Sequence, residues 1–358
     1  MSVSDTAAVL TESVQAAFAS RTPLQIQGGG SKAFLGNPAS GEVLDVSGHR
    51  GVVHYESTEL VITVKAGTPL HELEQVLAER KQMLPFEPPN FARRSTIGGC
   101  VACNLSGPRR AWAGAARDMV LGVRLLNGKG DVLRFGGEVM KNVAGYDVSR
   151  LMVGAMGTLG VLLDVSLKVL PRPEFERTQR LMVSAQQAQD MMQDLGQKPY
   201  PVSASCYDGE ALFIRLSGME KNVLNTAGLI GGDDIEDAGD FWRRVRDQEH
   251  DFFLDAQRDG RDVWRLSLPA DAPLDVVDEP CLIEWAGAQR WYRGGLPEQR
   301  LRQRVADAGG HATLFRANTS RAPRFQPLSE GMMALHQRIK HAMDPGAILN
   351  PGRVYAGL

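Results

Sequence analysis

The chain is 358 residues long, enough to bury a sizeable core and to divide into two domains. Its 40 Lys and Arg against 42 Asp and Glu leave a net charge of −2, which gives no electrostatic reason to expect nucleic acid as a partner. Four cysteines, Cys100, Cys103, Cys206 and Cys281, are too few and too scattered for a disulfide framework and fit a reducing compartment.

In chain order, Thr6 to Ala19 reads as an amphipathic helix with Leu10, Val14, Ala17 and Phe18 on one side. Asp5 and Glu12, with no basic start and no long apolar core, argue against a signal peptide here. The alternating run Leu24-Gln25-Ile26-Gln27 then feeds into Gly28-Gly29-Gly30-Ser31-Lys32. Successive amides of a glycine turn can converge on an anion such as a phosphate, with Ser31 adding a hydroxyl and Lys32 a cation; a plain strand-to-loop turn has the same composition. Gly28-x-Gly30-x-x-Ala33 also fits the nicotinamide-dinucleotide spacing, with Asp45 as the downstream acid. That fingerprint must open a helix, and Gly36-Asn37-Pro38 stops one within about a turn.

Three strand signals, Glu42–Val46, Val52–Tyr55 and Leu60–Lys65, read as a small meander. Thr68 as N-cap and Pro69 at the first helical position start a helix that presents Leu70, Leu73, Val76 and Leu77 and ends before Pro85, Pro88 and Pro89. From Asn90 to Arg117 there is little periodicity, and a loop this long with Ser95-Thr96-Ile97-Gly98-Gly99-Cys100 and Asn104-Leu105-Ser106-Gly107-Pro108-Arg109-Arg110 is an ordered ligand loop. Met119–Leu126 and Asp131–Phe135 form a hairpin around Asn127-Gly128. After Lys141-Asn142-Val143-Ala144-Gly145-Tyr146-Asp147, the turn Gly154–Gly160 opens a strand to Val169. Asp164 and Lys168 interrupt this most apolar run, which is far too short for a bilayer. Pro171-Arg172-Pro173 marks a domain boundary.

Beyond it, strands at Arg180–Ser184, Ser203–Tyr207, Leu212–Leu216, Val263–Leu268, Cys281–Glu284, Gln289–Tyr292 and Ala312–Phe315 alternate with helices at Gln186–Leu195, Met219–Leu229, Ala238–Glu249 and Glu298–Ala308. That pattern predicts an antiparallel sheet with helices on one face. A last helix, Ser329–Met343, precedes Asp344-Pro345-Gly346-Ala347-Ile348-Leu349-Asn350-Pro351-Gly352.

The order GGGSK, STIGG, NLSGPRR, hairpin, KNVAGYD and GTLGV resembles the flavin-binding half of the vanillyl-alcohol oxidase (PCMH-type) family of FAD oxidoreductases, over the first 171 residues and the tail. Within it the chain is similar to the smaller FAD-binding subunits of bacterial glycolate-oxidising complexes. The resemblance implies an α+β protein: a two-subdomain PCMH-type FAD-binding domain over residues 1–172, an antiparallel-sheet α+β cap domain over 173–328, and a helix and tail, 329–358, returning to the FAD domain. It implies that Gly28, Gly29, Gly30, Ser31 and Lys32 hold the FAD pyrophosphate, that Thr96, Gly98 and Gly99 form a second flavin loop with Gly107 and Arg109 toward the flavin side, and that Gly157, Thr158, Gly160 and Val161 pack against FAD. Some members attach FAD through a histidine after the glycines; Ser31 stands there, so the FAD is expected to be non-covalent.

Implied partners are a catalytic D-type flavin subunit, an iron–sulfur subunit and a small 2-hydroxy acid, glycolate. The implied location is cytoplasmic, peripheral to the inner membrane through those partners. Catalytic relatives carry an HxGDGNxH-type segment in the cap; this chain has none, and His49, His54, His71, His250, His311, His336 and His341 lack clustered partners nearby in sequence.

Arg109, Arg110, Arg290 and His311 are the remaining candidates for a substrate carboxylate or proton, the bland alternatives being a surface ion pair for Arg290 and a solvated strand edge for His311. Cys100-x-x-Cys103 has no second pair at metal spacing, so no metal site is expected. Tyr146 is either a flavin neighbour or core. Arg243, Arg244 and Arg246 read as a solvated helix face. Three functions follow: a flavin subunit whose partner oxidises glycolate, a self-sufficient 2-hydroxy-acid dehydrogenase, and a scaffold with degenerate loops, which the intact glycine motifs oppose.

Overall fold

The computed structural model describes residues 6–137, 147–235 and 238–358; the segment from Lys141 to Tyr146 lies outside the described residues. The chain separates into two compact units, one of Met1–Leu105, Ala115–Pro171 and Pro327–Leu358, the other of Ser106–Gly114 and Arg172–Gln326.

The first unit begins with α1 (Thr6–Ser20), which buries Ala7, Leu10, Val14 and Ala17. Strands β1 (Leu24–Gln27) and β2 (Glu42–Asp45) pair in parallel, Leu24 opposite Glu42. The expected meander is therefore only partly formed. Alternation marks a strand but does not name its partner, and β2 joins β1 while β3 (Val52–Glu56) and β4 (Val61–Lys65) enter a second sheet. Helix α2 (Leu70–Glu79) is capped at Pro69, whose extended backbone (φ −60°, ψ 139°) precedes the first helical residue. Thr68 is not the cap: its hydroxyl accepts from the Gly51 amide (2.9 Å) and donates to the Lys65 carbonyl (2.6 Å).

After the two-residue strand β5 (Gln82–Met83), the expected ligand loop contains a short helix, α3 (Ile97–Ala102). Two adjacent glycines give it poor intrinsic propensity. Tertiary bonds hold it instead, Ile97 N to Thr68 O (2.9 Å) and Gly98 N to Ala66 O (2.8 Å). One-turn helices α4 (Arg110–Ala113) and α5 (Ala116–Met119) lead to the hairpin β6 (Val120–Leu126) and β7 (Val132–Gly136). Then come α6 (Val148–Leu151), β8 (Val161–Lys168) and the short β9 (Leu170–Pro171) that pairs β5. The main sheet runs β3-β4-β8-β6-β7, all antiparallel. Leu70, Leu73 and Leu77 of α2 and Ile97 and Val101 of α3 pack on its Ile62, Val64, Val123, Val165 and Leu167.

The second unit is built on an eight-stranded sheet. Strand β10 (Phe175–Met182), α7 (Ala185–Gly196), β11 (Val202–Tyr207), β12 (Ala211–Gly218), α8 (Glu220–Ile230) and β13 (Asp233–Asp234) form a β-α-β-β-α-β unit in the order β13-β10-β12-β11. Helices α9 (Ala238–Arg246) and α10 (Asp251–Arg258) intervene before a second half, β14 (Val263–Ser267), β15 (Leu282–Glu284), β16 (Gln289–Tyr292), α11 (Glu298–Asp307) and β17 (His311–Arg316), ordered β15-β16-β14-β17.

Helices α7, α8 and α11 bury Met192, Val223 and Leu301 against Ile214, Leu266 and Leu314. The opposite face is covered too, contrary to the one-sided expectation. Phe241 of α9 stacks on Phe213 (4.0 Å between centroids) and Phe253 of α10 meets Trp291 edge-on (5.2 Å). The basic run on α9 is tied to carboxylates: Arg243 to Asp240 and Glu249, Arg244 to Asp251, Arg246 to Asp247.

The chain then re-enters the first unit through α12 (Glu330–Met343) and the tail. Leu24 forms a parallel bridge with Leu349, so the tail extends the β1–β2 sheet. Among the described residues no helix is long and apolar enough to cross a membrane.

Candidate functional site

The first unit contains a cavity of about 130 Å³ where β1, α3, the Gly154–Gly160 turn and the tail meet. Gly28, Gly29, Gly30, Ser31, Lys32, Thr96, Gly98, Gly99, Gly157 and Gly160 all line it, so three glycine motifs far apart in sequence share one wall. Thr158 and Val161 do not line it: Thr158 turns its hydroxyl to the Ala155 carbonyl (2.7 Å), and Val161 is a β8 residue opposite Leu126.

Its two glycine loops are built differently. No helix follows the first, since residues 31–34 form turns and 35–37 bends, so the helix that a nicotinamide fingerprint must open is not there. Among the described residues, no backbone or side-chain acceptor takes the amides of Gly29, Gly30, Ser31 or Lys32. Lys32 is only 8% exposed. Its ammonium donates to the Ser31 hydroxyl (3.2 Å) and lies 5.9 Å from the Phe91 ring centroid, and no described carboxylate is within ion-pair distance. A buried ammonium without a counter-charge is costly, and four unbonded amides beside it add donors of the same sign. The turn therefore fits an anion.

In the second loop the amides are taken. Ile97 and Gly98 donate to Thr68 and Ala66, Gly99 to the Thr96 hydroxyl (3.3 Å), and Cys100 to the Thr96 carbonyl (3.0 Å). Packing dictates its glycine at 98, where a Cβ would sit 2.6 Å from that of Ala66. Gly29 of the first loop is equally constrained, because a Cβ there would overlap the Arg94 carbonyl.

Two residues that sequence reading did not assign, Asn350 and Arg353, complete the wall, and Lys340 and Arg94 lie outside its lining. Asn350 accepts from Ile26 N (2.8 Å) and donates to Met156 O (2.7 Å), tying β1 to the Gly154–Gly160 turn. Arg353 donates to the carbonyls of Asn37, Lys32 and Ala33. Buried Lys340 donates to Thr158 O (2.8 Å), Leu349 O (2.7 Å) and Asp344 (2.7 Å), anchoring α12 and the tail. Arg94 brings its guanidinium to within 3.7 Å of where a Gly30 side chain would start. Nothing local in the sequence marks these residues except the tail's Asn-Pro-Gly, a turn signal. Of the two motif cysteines, Cys100 is buried in the core and Cys103 lines the cavity.

The other candidates lie elsewhere. Gly107 and Arg109 belong to the second unit and are not among the cavity-lining residues. The Gly107 carbonyl accepts from Trp285 Nε1 (2.9 Å), and Arg109 is buried with its guanidinium on Glu176 (2.5 Å) and Ser217 (3.3 Å). Arg110 stacks 4.3 Å from the Trp285 ring centroid. Arg290 makes no surface ion pair: it is 1% exposed and donates to the Pro273 and Ala272 carbonyls, so it fastens the loop before β15. His311 is exposed at the first position of β17.

Folding also makes one cluster that sequence distance hid. His49 Nε2 lies 3.2 Å from Asp164 Oδ1, and Arg124 donates to Asp164 Oδ2 (2.5 Å). Burial alone would raise the Asp164 carboxyl, but the hydrogen bonds from His49 and Arg124 outweigh it and hold it below the ordinary range. Arg124 and Asp164 line a separate cleft of about 240 Å³ on the main sheet. Tyr146 lies outside the described residues.

Three comparisons bear on this geometry. Residues 3–136 match the FAD binding domain family. Glycolate oxidase subunit GlcE of Escherichia coli (strain K12) is 48% identical over 354 residues, 99% of each chain. Glycolate oxidase subunit GlcD of Bacillus subtilis (strain 168) is 34% identical over 161 residues, 44% of this chain and 34% of that one. Among solved structures, alkyldihydroxyacetonephosphate synthase superposes with a TM-score of 0.67 at 16% identity, over 96% of this chain and 74% of that chain, which supports the fold alone. The architecture is the PCMH-type FAD-binding fold, α+β in class, and the cofactor it serves is FAD. The chain belongs to the GlcE family of glycolate oxidase subunits.

Proposed function

We propose that this chain is the FAD-binding subunit of a glycolate oxidase that converts glycolate to glyoxylate, and that it holds FAD non-covalently with the diphosphate on the Gly28–Lys32 turn. The observation that carries this reading is the row of amides unbonded among the described residues, beside a buried Lys32 with no described carboxylate at ion-pair distance. It stands in a chain matching E. coli GlcE over 99% of its length. At about 130 Å³ the cavity is smaller than the ~300–1,000 Å³ typical of whole-ligand pockets. It therefore corresponds to part of the dinucleotide, the anionic part that its donors select. Gly99, Gly157 and Gly160 keep the wall low, Asn350 fixes its two sides together, and Ser31 offers no histidine for covalent attachment.

When bound, FAD supplies a two-electron acceptor that can pass its electrons onward. Removing two electrons and two protons from glycolate also needs a base and a cation for the carboxylate. Arg109 and Arg290 are already engaged by Glu176 and by backbone carbonyls, which favours a division of labour: a D-type flavin subunit oxidises glycolate, and this flavin relays electrons toward an iron–sulfur subunit. The complex then meets the membrane through those partners. The test is the visible spectrum of the purified chain and of the complex under anaerobic glycolate. The chain alone should be yellow, release FAD on acid precipitation and stay oxidised, while the complex bleaches. Bleaching of the isolated chain would make it a self-sufficient dehydrogenase, and a colourless chain would make it a scaffold.

A further inference from the structure

The Gly28–Lys32 turn lacks the support that usually aims an anion-binding row of amides, because no helix follows it. Residues 31–37 instead lean on the tail. Arg353 donates to the carbonyls of Asn37 (2.6 Å), Ala33 (3.2 Å) and Lys32 (3.3 Å). In return the Arg353 carbonyl accepts from Asn37 N (2.9 Å), and Asn37 Nδ2 donates to the carbonyls of Gly352 (2.9 Å) and Val354 (3.2 Å). A peptide unit is planar, so holding the Lys32 carbonyl fixes the Ala33 amide on its other side, and that amide closes the turn by donating to the Gly30 carbonyl (3.3 Å). One planar guanidinium reaches three carbonyls here, a geometry that a lysine ammonium on its flexible stem does not reproduce.

We infer that Arg353 is a positioning residue for FAD: locked to Asn37, it holds the end of the glycine turn so that its amides converge on the diphosphate. This deepens, and rests on, the reading of the cavity as the FAD seat. Because the effect passes through the backbone, breaking the lock from the other side must also weaken FAD. The experiment titrates FAD into full-length apoprotein by flavin fluorescence for wild type, Arg353→Met, Arg353→Lys and Asn37→Ala, with the melting temperature of each apoprotein measured in parallel.

Arg353→Met should bind FAD roughly tenfold more weakly, the scale of one lost charge-assisted bond. Asn37→Ala should weaken it several-fold, Arg353→Lys should recover only part, and the apoprotein melting temperatures should stay close to wild type. Unchanged affinity in Arg353→Met overturns the inference. So does full affinity in Asn37→Ala beside a weakened Arg353→Met, which would mark a direct ionic contact, and so does a loss of affinity matched by loss of apoprotein stability. A wild-type apoprotein that takes up no FAD removes the cavity reading and this inference together; normal wild-type uptake with an unaffected Arg353→Met removes this inference alone.

Discussion

Two glycine loops face one cavity, and they have opposite hydrogen-bond economies. In Gly28–Lys32 the amides of four consecutive residues have no partner among the described residues, and the buried lysine has no counter-charge among them. In Thr96–Cys100 every first-turn amide is bonded within the protein, and the helix exists because the Ala66 and Thr68 carbonyls just after β4 hold it. Both loops have the composition of a phosphate cradle. Among the described residues only the first has unbonded donors, so the first is the proposed anion seat and the second a close-packed floor.

The most forceful way to break this contrast is to crowd the glycines. Gly29→Ala should cost about 3 kcal/mol of fold stability, because the new Cβ overlaps the Arg94 carbonyl and the backbone must move. Urea unfolding of apoprotein checks it, and a stable variant would show that Gly29 is a ligand glycine rather than a packing one. Next, Lys32→Met should lower FAD affinity by about 1.5–3 kcal/mol, the range for a hydrogen bond to a charged group. It should leave apoprotein stability equal or higher, since it removes a buried charge that no described carboxylate compensates. A titration and a melt on the same samples decide it; loss of stability would mean that the lysine is structural.

The smallest effect separates both loops from the sheet that carries them. Folding lowers the Asp164 carboxyl from its ordinary value of 3.8, so its contribution is present above that value and is lost as pH falls through the lowered one. The urea midpoint should therefore decline below pH about 4, and Asp164→Asn should remove that part of the decline. An unchanged acid profile in the variant would assign the loss to other carboxylates.

Much of the architecture was legible in the sequence. The hairpin at Asn127-Gly128, the β8 strand and most strands and helices of the second unit fall where periodicity places them, because each is a local pattern of burial; β10 starts at Phe175 rather than Arg180, and β13 and α10 were not expected. Partner choice was not legible. β2 joins β1 instead of β3, and α9 and α10 cover a sheet face expected to be bare, because alternation reports that a face is buried without saying by what. Helix α3 was missed because Gly98 and Gly99 argue against a helix that only tertiary bonds sustain. For the cavity, glycine motifs pointed to most of one wall, but Asn350 and Arg353 carry no local signal. Their contacts lie 324 residues from Ile26 and 316 from Asn37.

Those separations have a consequence for how the protein is made. The proposed seat for the diphosphate opens with the glycine turn and is closed by residues more than 300 positions further along the chain. At about 5–20 residues per second, many seconds pass during translation in which the glycine turn exists without the arginine that steadies it. The Leu24–Leu349 bridge must likewise wait for the tail. Contacts of such long range are slow to form. Cofactor loading therefore waits for the Arg353 segment, and FAD in the growth medium or the cell should raise the yield of folded chain by trapping that late-closing tail.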